Sequence, residues 1–275
     1  MTIKSLFFIL LAFSVSHAID HNLWELFTTD VIDLTFLGQK MGKVGSSNPG
    51  PSGYKVYFWS LSNQDWVPDH QSGTEAIQMD FTSTHEWHLN SADSVYRRVP
   101  GGTWQHVANC KARDMKIGNG NIMWHVGSYS GGSFKAYKWD NANNQPIDSY
   151  EQAKKVGVGP DGNPWIVKDN GDIKKFDGTN WIPVPGKARD IIIGSNSVAY
   201  IISQDPADEG SVIKEWNGSS WEPVPGIGGV AFALDSQDNL YVITNENKAY
   251  RQKGKISSFC PSKKKFNSKK EIICL

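Results

Sequence analysis

A thirteen-residue pattern recurs in register along this chain, and that recurrence limits the fold more than any other feature. Aligned on a small residue twelve positions before an aromatic, ARDMKIGNGNIMW (112–124), AKKVGVGPDGNPW (153–165), ARDIIIGSNSVAY (188–200) and GVAFALDSQDNLY (229–241) match without a gap. Residues 75–87 give a fifth copy, and residues 30–42 a degenerate sixth that lacks the aromatic. From Trp87 onward the aromatic anchors lie 37, 41, 35 and 41 residues apart. A second landmark keeps step: Trp66, Trp104, Trp181 and Trp221 each follow a turn-forming stretch, although one copy has Gln145-Pro146-Ile147 at that place.

The clearest unit, residues 153–186, predicts four short strands. Val156 and Val158 alternate with small or polar residues, Gly159-Pro160-Asp161-Gly162 is turn chemistry, and Trp165-Ile166-Val167 is a second apolar run. Asp169-Asn170-Gly171-Asp172 turns the chain again, residues 173–176 make a third strand, Asp177-Gly178 marks a tight hairpin, and Trp181 opens the fourth run. One such meander leaves an apolar face uncovered, so copies must stack. Units of about 35 to 45 residues carrying four strands are the signature of a β-propeller blade. The expected fold is all-β: a six-bladed β-propeller of four-stranded antiparallel blades over residues 19–254.

Eleven Trp, 26 Gly, 13 Pro and a charged fraction of 20% favour strands and turns over amphipathic helices. The 28 basic and 28 acidic residues balance, so no global field argues for nucleic acid or an acidic membrane. Residues 1–18 predict a cleaved signal peptide. Lys4 precedes the apolar run LFFILLAFSV (6–15), too short to span a bilayer, and Ser16-His17-Ala18 fits the small-x-small cleavage rule. A signal anchor would need a longer apolar run. The expected location is secreted, with no membrane span. Residues 255–275 leave the repeat and carry a lysine cluster that could contact anionic glycans or lipid headgroups, although a solvated tail is the commoner role of such a run. In an oxidising compartment Cys260 and Cys274 could close a small loop with Cys110 left over, but three cysteines leave three pairings open. Asn217-Gly218-Ser219 is the one N-glycosylation sequon, in a predicted hairpin turn.

Three longer blocks carry a family resemblance. WIPVPGKARDIIIGSNSVAYII (181–202), WEPVPGIGGVAFALDSQDNLYVI (221–243) and WQHVANCKARDMKIGNGNIMW (104–124) resemble tectonin repeats: a Trp, a Val-Pro-Gly-like turn, a small residue, an alternating strand, Gly and an aromatic. Ser94-Val95-Tyr96-Arg97-Arg98 and Lys248-Ala249-Tyr250-Arg251 resemble the segment that closes the family repeat. The match covers residues 66–253 well and 19–64 poorly. Members of this tectonin-type family, such as tachylectins and fish egg lectins, form six-bladed propellers. Several are secreted or surface lectins that bind glycans, bacterial lipopolysaccharide included. The resemblance implies a secreted multivalent carbohydrate-binding protein for microbial or cell-surface glycans. The alternative is an extracellular protein–protein interaction scaffold without a sugar site.

A lectin pocket pairs an exposed aromatic face with fixed hydrogen-bonding groups. Trp87, Trp124, Trp165, Tyr200 and Tyr241 are the candidate glycan-binding residues, and several such sites on one ring would raise avidity by about 10² to 10⁴. The same rings could instead fill the wedges between blades. Trp66, Trp104, Trp181 and Trp221 read as packing anchors. Loops at 45–53, 128–133 and 204–210 stand at equivalent points of their copies, so they share one rim, where repeat proteins usually bind.

Enzyme chemistry has little support. No Gly-x-Ser-x-Gly elbow, phosphate-binding loop or zinc spacing occurs, and His85 and His88, three apart on a strand, face opposite sides. No activity, cofactor or metal is therefore expected. Asp161, Asp169, Asp172, Asp235 and Asp238 sit in predicted turns, where Asp bonds its own backbone; calcium binding is the other reading. Residues 235–242 also resemble a block of NHL-type propellers, some of which carry enzymes.

Overall fold

The computed structural model describes residues 19–70, 74–118, 121–129, 133–253, 264–266 and 272–274, and no described residue lies in an α-helix. β1 (Trp24–Thr29) opens the chain. β2 (Asp33–Leu37), β3 (Lys40–Val44), β4 (Tyr54–Ser60) and β5 (Asp65–Pro68) form the first radial sheet, with β6 (Glu75–Ala76) beside β4. β7 (Gln78–Phe81), β8 (Glu86–Leu89), β9 (Ser94–Arg98) and β10 (Gln105–Lys111) form the second. β11 (Asp114–Gly118), β12 (Ile122–Gly127), β13 (Lys135–Asp140) and β14 (Gln145–Gln152) form the third. A seven-stranded sheet follows, built from β15 (Lys155–Val158), β16 (Pro164–Val167), β17 (Asp172–Phe176), β18 (Trp181–Ile193), β19 (Ala199–Ala207), β20 (Gly210–Trp216) and β21 (Trp221–Gly229). The last radial sheet contains β22 (Ala231–Leu234), β23 (Leu240–Ile243) and β24 (Lys248–Gln252), with β1 on its outer edge. β25 (Lys264–Phe266) and β26 (Ile272–Cys274) make a separate hairpin.

The first strand of each repeat lies innermost. β2, β7, β11, β15, the second half of β18 and β22 stand side by side in a circle, with β22 returning to β2. The arrangement is thus all-β and propeller-like, but the expectation of six separate four-stranded blades is met only in part. The Trp181–Lys187 half of β18 pairs with β17 and the Ala188–Ile193 half with β19, so the fourth and fifth repeats are one sheet. The cause is local. Extended backbone runs through Ala188 without a break, whereas Ala112 and Arg113 interrupt the equivalent passage between β10 and β11.

Closure joins the two ends of the described ring. β1 runs antiparallel to β24, Trp24 opposite Gln252 and Glu25 opposite Arg251, and the Asp20 N–H donates to the Gly226 carbonyl at 2.8 Å. Two tryptophans act as staples to the preceding repeat. Trp221 Nε1–H donates to the Pro185 carbonyl at 2.7 Å, and Trp24 Nε1–H to Pro225 at 2.9 Å. Gly186 (φ 101°) and Gly226 (φ 77°) hold the left-handed conformation that glycine tolerates best, and a Cβ on Gly186 would lie 2.9 Å from the Trp221 ring. The recurring Val-Pro-Gly is therefore a seat for the next repeat's indole.

Candidate functional site at the channel mouth

An innermost strand has a sheet neighbour on one side only, so its other edge presents backbone N–H groups to the channel, and buried donors need acceptors. Side chains of the preceding repeat supply them. Asp33 accepts from the Met79 N–H (2.8 Å), Gln78 from Met115 (3.1 Å), Asp114 from Val156 (2.8 Å) and Asp80 from Ile117 (2.9 Å). The channel consequently holds buried charge. Lys155 Nζ lies 3.0 Å from Asp114 and 3.6 Å from Asp190, and these carboxylates hold it charged against the cost of burial. Burial pushes the Asp33 carboxyl up to about 6.

Above this charged layer the channel opens into a cavity of about 430 Å³. Each repeat sends an apolar side chain to its wall, Phe36, Phe81, Ile117, Val158, Ile193 and Leu234, and the first adds Leu37. Asp80 forms the floor, and its carboxyl is raised by burial. The rim is made by the turns that follow the inner strands, tied to one another across repeats. Asp238 accepts from the Ser195 N–H and Oγ–H and from the Asn196 N–H, and Asn121 accepts from the Ser83 N–H. Asp235 holds its own turn through the Gln237 and Asn239 N–H groups. A neighbouring groove of about 490 Å³ shares Phe36, Asp235 and Ser236 with the mouth and runs out past Met41 and Leu61, the latter 66% exposed.

The other end of the channel has a smaller cavity, about 220 Å³, beside Arg113, Lys116, Lys155, Asp33 and Asp190. The loops expected to mark the binding rim lie at this end. They join second to third strands, and antiparallel order places those hairpins where the inner strands begin. The larger cavity is on the opposite face.

The predicted glycan-binding aromatics are placed as follows. Trp87, Trp124, Tyr200 and Tyr241 are buried, each 5% exposed or less, and Trp165 is half-buried. Trp124 packs edge-on to Trp181 at 6.4 Å, Trp165 edge-on to Trp221 at 6.4 Å, and Tyr241 lies 4.5 Å from Phe36. Tyr200 shares its core with Trp24, and Arg97 stands over the Trp87 ring at 5.6 Å. In the expected packing set the order is reversed: Trp66, Trp104, Trp181 and Trp221 are all half-buried. Asn217 is exposed and accepts from the Ser219 and Ser220 N–H groups in its turn. Cys110 is a buried free thiol that burial raises to about 12. Cys260 and residues 1–18 lie outside the described residues, as does the Cys274 side chain, so the Cys260–Cys274 pairing and the signal peptide do too.

His85 is half-buried, against Thr84, while His88 is sealed between Tyr96 and Trp104. Among the described residues no three His, Cys, Asp or Glu side chains are grouped to hold a metal ion, and no helix is long and apolar enough to cross a membrane.

No family model matches this sequence, and no curated protein matches it. Solved structures do. One described as "YCF48 bound to D1 peptide" is similar at 13% identity and TM-score 0.54, over 83% of this chain and 79% of that one. The WD40 β-propeller domain of Doa1 is similar at 12% identity and TM-score 0.55, over 84% and 96%. At such identities the likeness concerns the fold alone, and the fold it gives to this chain is a β-propeller.

Proposed function

We propose that the chain is a six-bladed propeller of tectonin-like repeats, working outside the cell as a scaffold that holds a segment of another protein at the channel mouth. The six inner strands, one from each repeat, support the count of six, with β18 serving two blades. The indole seated on a Val-Pro-Gly turn supports the tectonin likeness. One observation carries the function: the cavity at the channel mouth is open, walled by apolar side chains from every repeat, edged by polar turns and continuous with a groove beside it. Concave apolar sites with a few fixed polar groups are where ligands bind. The fold is shared with a propeller solved with a peptide bound.

A lectin reading keeps one observation in its favour, the half-buried Trp165, since the other four candidate rings are enclosed. Selection of a displayed random-peptide library on residues 19–275 tests the scaffold reading. Enriched peptides are expected to lose at least tenfold in affinity to Ser236→Trp, which places bulk on an exposed rim position. Peptides that ignore this variant, together with saccharide binding on a glycan array, would favour the lectin.

A further inference from the structure

The charged residues that line the mouth are of one sign. Asp80 is at its floor and Asp235 and Asp238 at its rim, and no Lys, Arg or His is among the described residues that line it. Lys116, one residue before Ile117, borders the cavity at the other end of the channel, from where its charge also acts on Asp80, and Lys40, whose Nζ lies 4.5 Å over the Phe81 ring, is paired with Glu86. A cleft lined by one sign of charge between low-dielectric walls concentrates its field on what enters. The apolar collar of Phe36, Phe81, Ile117, Val158, Ile193 and Leu234 lies between rim and floor. From the rim Asp235 to the level of Asp80 is two residues along the inner strands, at most about 7 Å.

An occupant that suits both features has an aliphatic stem for the collar and a cation for the floor. Lysine and arginine side chains are built that way, burying their stems and keeping the charged head among polar groups. The groove past Met41 and Leu61 then offers an apolar track for the residues on one side.

We infer that the mouth receives a lysine or arginine side chain from a basic, extended segment of a partner protein, with a neighbouring apolar residue lying in the groove beside Leu61. This inference rests on the scaffold reading and names the chemistry of the partner. Every Asp involved already accepts backbone hydrogen bonds, so the attraction is Coulombic and sensitive to salt.

The test uses residues 19–275 and fluorescein-labelled octapeptides of alternating Leu and Lys, Leu and Arg, Leu and Gln, or Leu and Glu, read by anisotropy. The Lys and Arg peptides are expected to bind at least tenfold tighter than the Gln peptide, and to weaken as salt rises from 50 to 500 mM. Ser236→Lys adds a cation to the rim without removing a hydrogen bond, and is expected to cost the Lys peptide at least tenfold while leaving Tm unchanged. Asp235→Asn, which keeps an acceptor for its turn, is expected to weaken it severalfold. Equal binding of Lys and Gln peptides, both blocked by Ser236→Trp, would overturn the cation assignment and leave the scaffold standing. No peptide binding at the mouth would overturn both. Residues 254–275 carry six lysines and follow β24 in the chain. Lys-peptide binding that emerges only after these lysines become Ser would give the mouth to the chain's own tail and overturn its assignment to a partner.

Discussion

Trp24→Ala is expected to destabilise the protein by about 3–5 kcal/mol, the usual cost of deleting a large buried aromatic. The Trp24 side chain is fully buried among Tyr200, Ile213, Leu240 and Tyr250, and its indole holds the Pro225 turn. The position carries more than packing, because β1 is the outer strand that ties the first residues of the ring to the last. For a chain of this size the loss corresponds to a fall in Tm on the order of 10 °C. Trp24→Phe keeps most of the bulk and loses the hydrogen bond, so it should cost about 1–2 kcal/mol. Thermal unfolding followed by tryptophan fluorescence separates the two; equal small effects would mean that β1 is not part of the cooperative core.

Acidification from pH 7 to 4.5 is expected to withdraw the stability that two buried neutral histidines lend, while the raised carboxyls of Asp33, Asp80 and Asp114 return part of it. Burial holds His88 and His125 neutral, with values lowered to about 3 from an ordinary 6.5. A histidine whose folded value is depressed lends stability above pH 6.5 and loses it as pH falls toward 3, at about 1.4 kcal/mol per unit. By pH 4.5 each has lost on the order of 2–3 kcal/mol. Asp33 works in the opposite sense. Its folded value is raised to about 6, so its contribution is fully present below 3.8 and is lost as pH rises through 6; falling to pH 4.5 returns about 2 kcal/mol. Both ring nitrogens of His88 lack a hydrogen-bond partner, and the ring stacks on Tyr96 at 4.9 Å. His88→Phe should therefore retain the packing and remove about half of the histidine loss. Urea unfolding of both proteins at the two pH values measures this, and an equal pH dependence in the wild type and in His88→Phe would contradict the burial of His88.

Much of the fold was legible because the repeat unit is short and self-consistent. Turn residues such as Asp177-Gly178 and the alternation around Val156 and Val158 specify strands locally, and the spacing of Trp124, Trp165, Tyr200 and Tyr241 specifies stacking. Register was less legible. Trp124 sits opposite Lys116, eight residues back, whereas Trp87 sits opposite Asp80, seven back, so the inner hairpin of the second repeat is one residue shorter than the twelve-residue spacing suggests. The relative burial of the two aromatic sets is also the reverse of the expectation, Trp165 excepted. A ring on the second strand is enclosed by the outer strand of the next repeat, while a ring after the turn lies at the periphery and is half covered. Nothing in a single repeat carries that distinction.

The mouth was not legible at all, since it is made by residues spread from Phe36 to Leu234 that meet only when the circle closes. A signal for the channel chemistry did exist. Asp114 and Asp190 both stand two residues after the small residue of their repeats, where a strand edge facing the channel needs an acceptor.

The most direct test of the ring is a cross-link between its two ends. Glu25 and Arg251 face each other across β1 and β24, and paired strand positions are about 4.5–5.5 Å apart at Cα, within disulfide range. Glu25→Cys combined with Arg251→Cys should form an intramolecular disulfide on mild oxidation, mapped by mass spectrometry, and should raise Tm. If the two thiols stay free in the folded protein, the N-terminal strand does not complete the last sheet, and neither the closed circle nor the mouth at its centre exists as described.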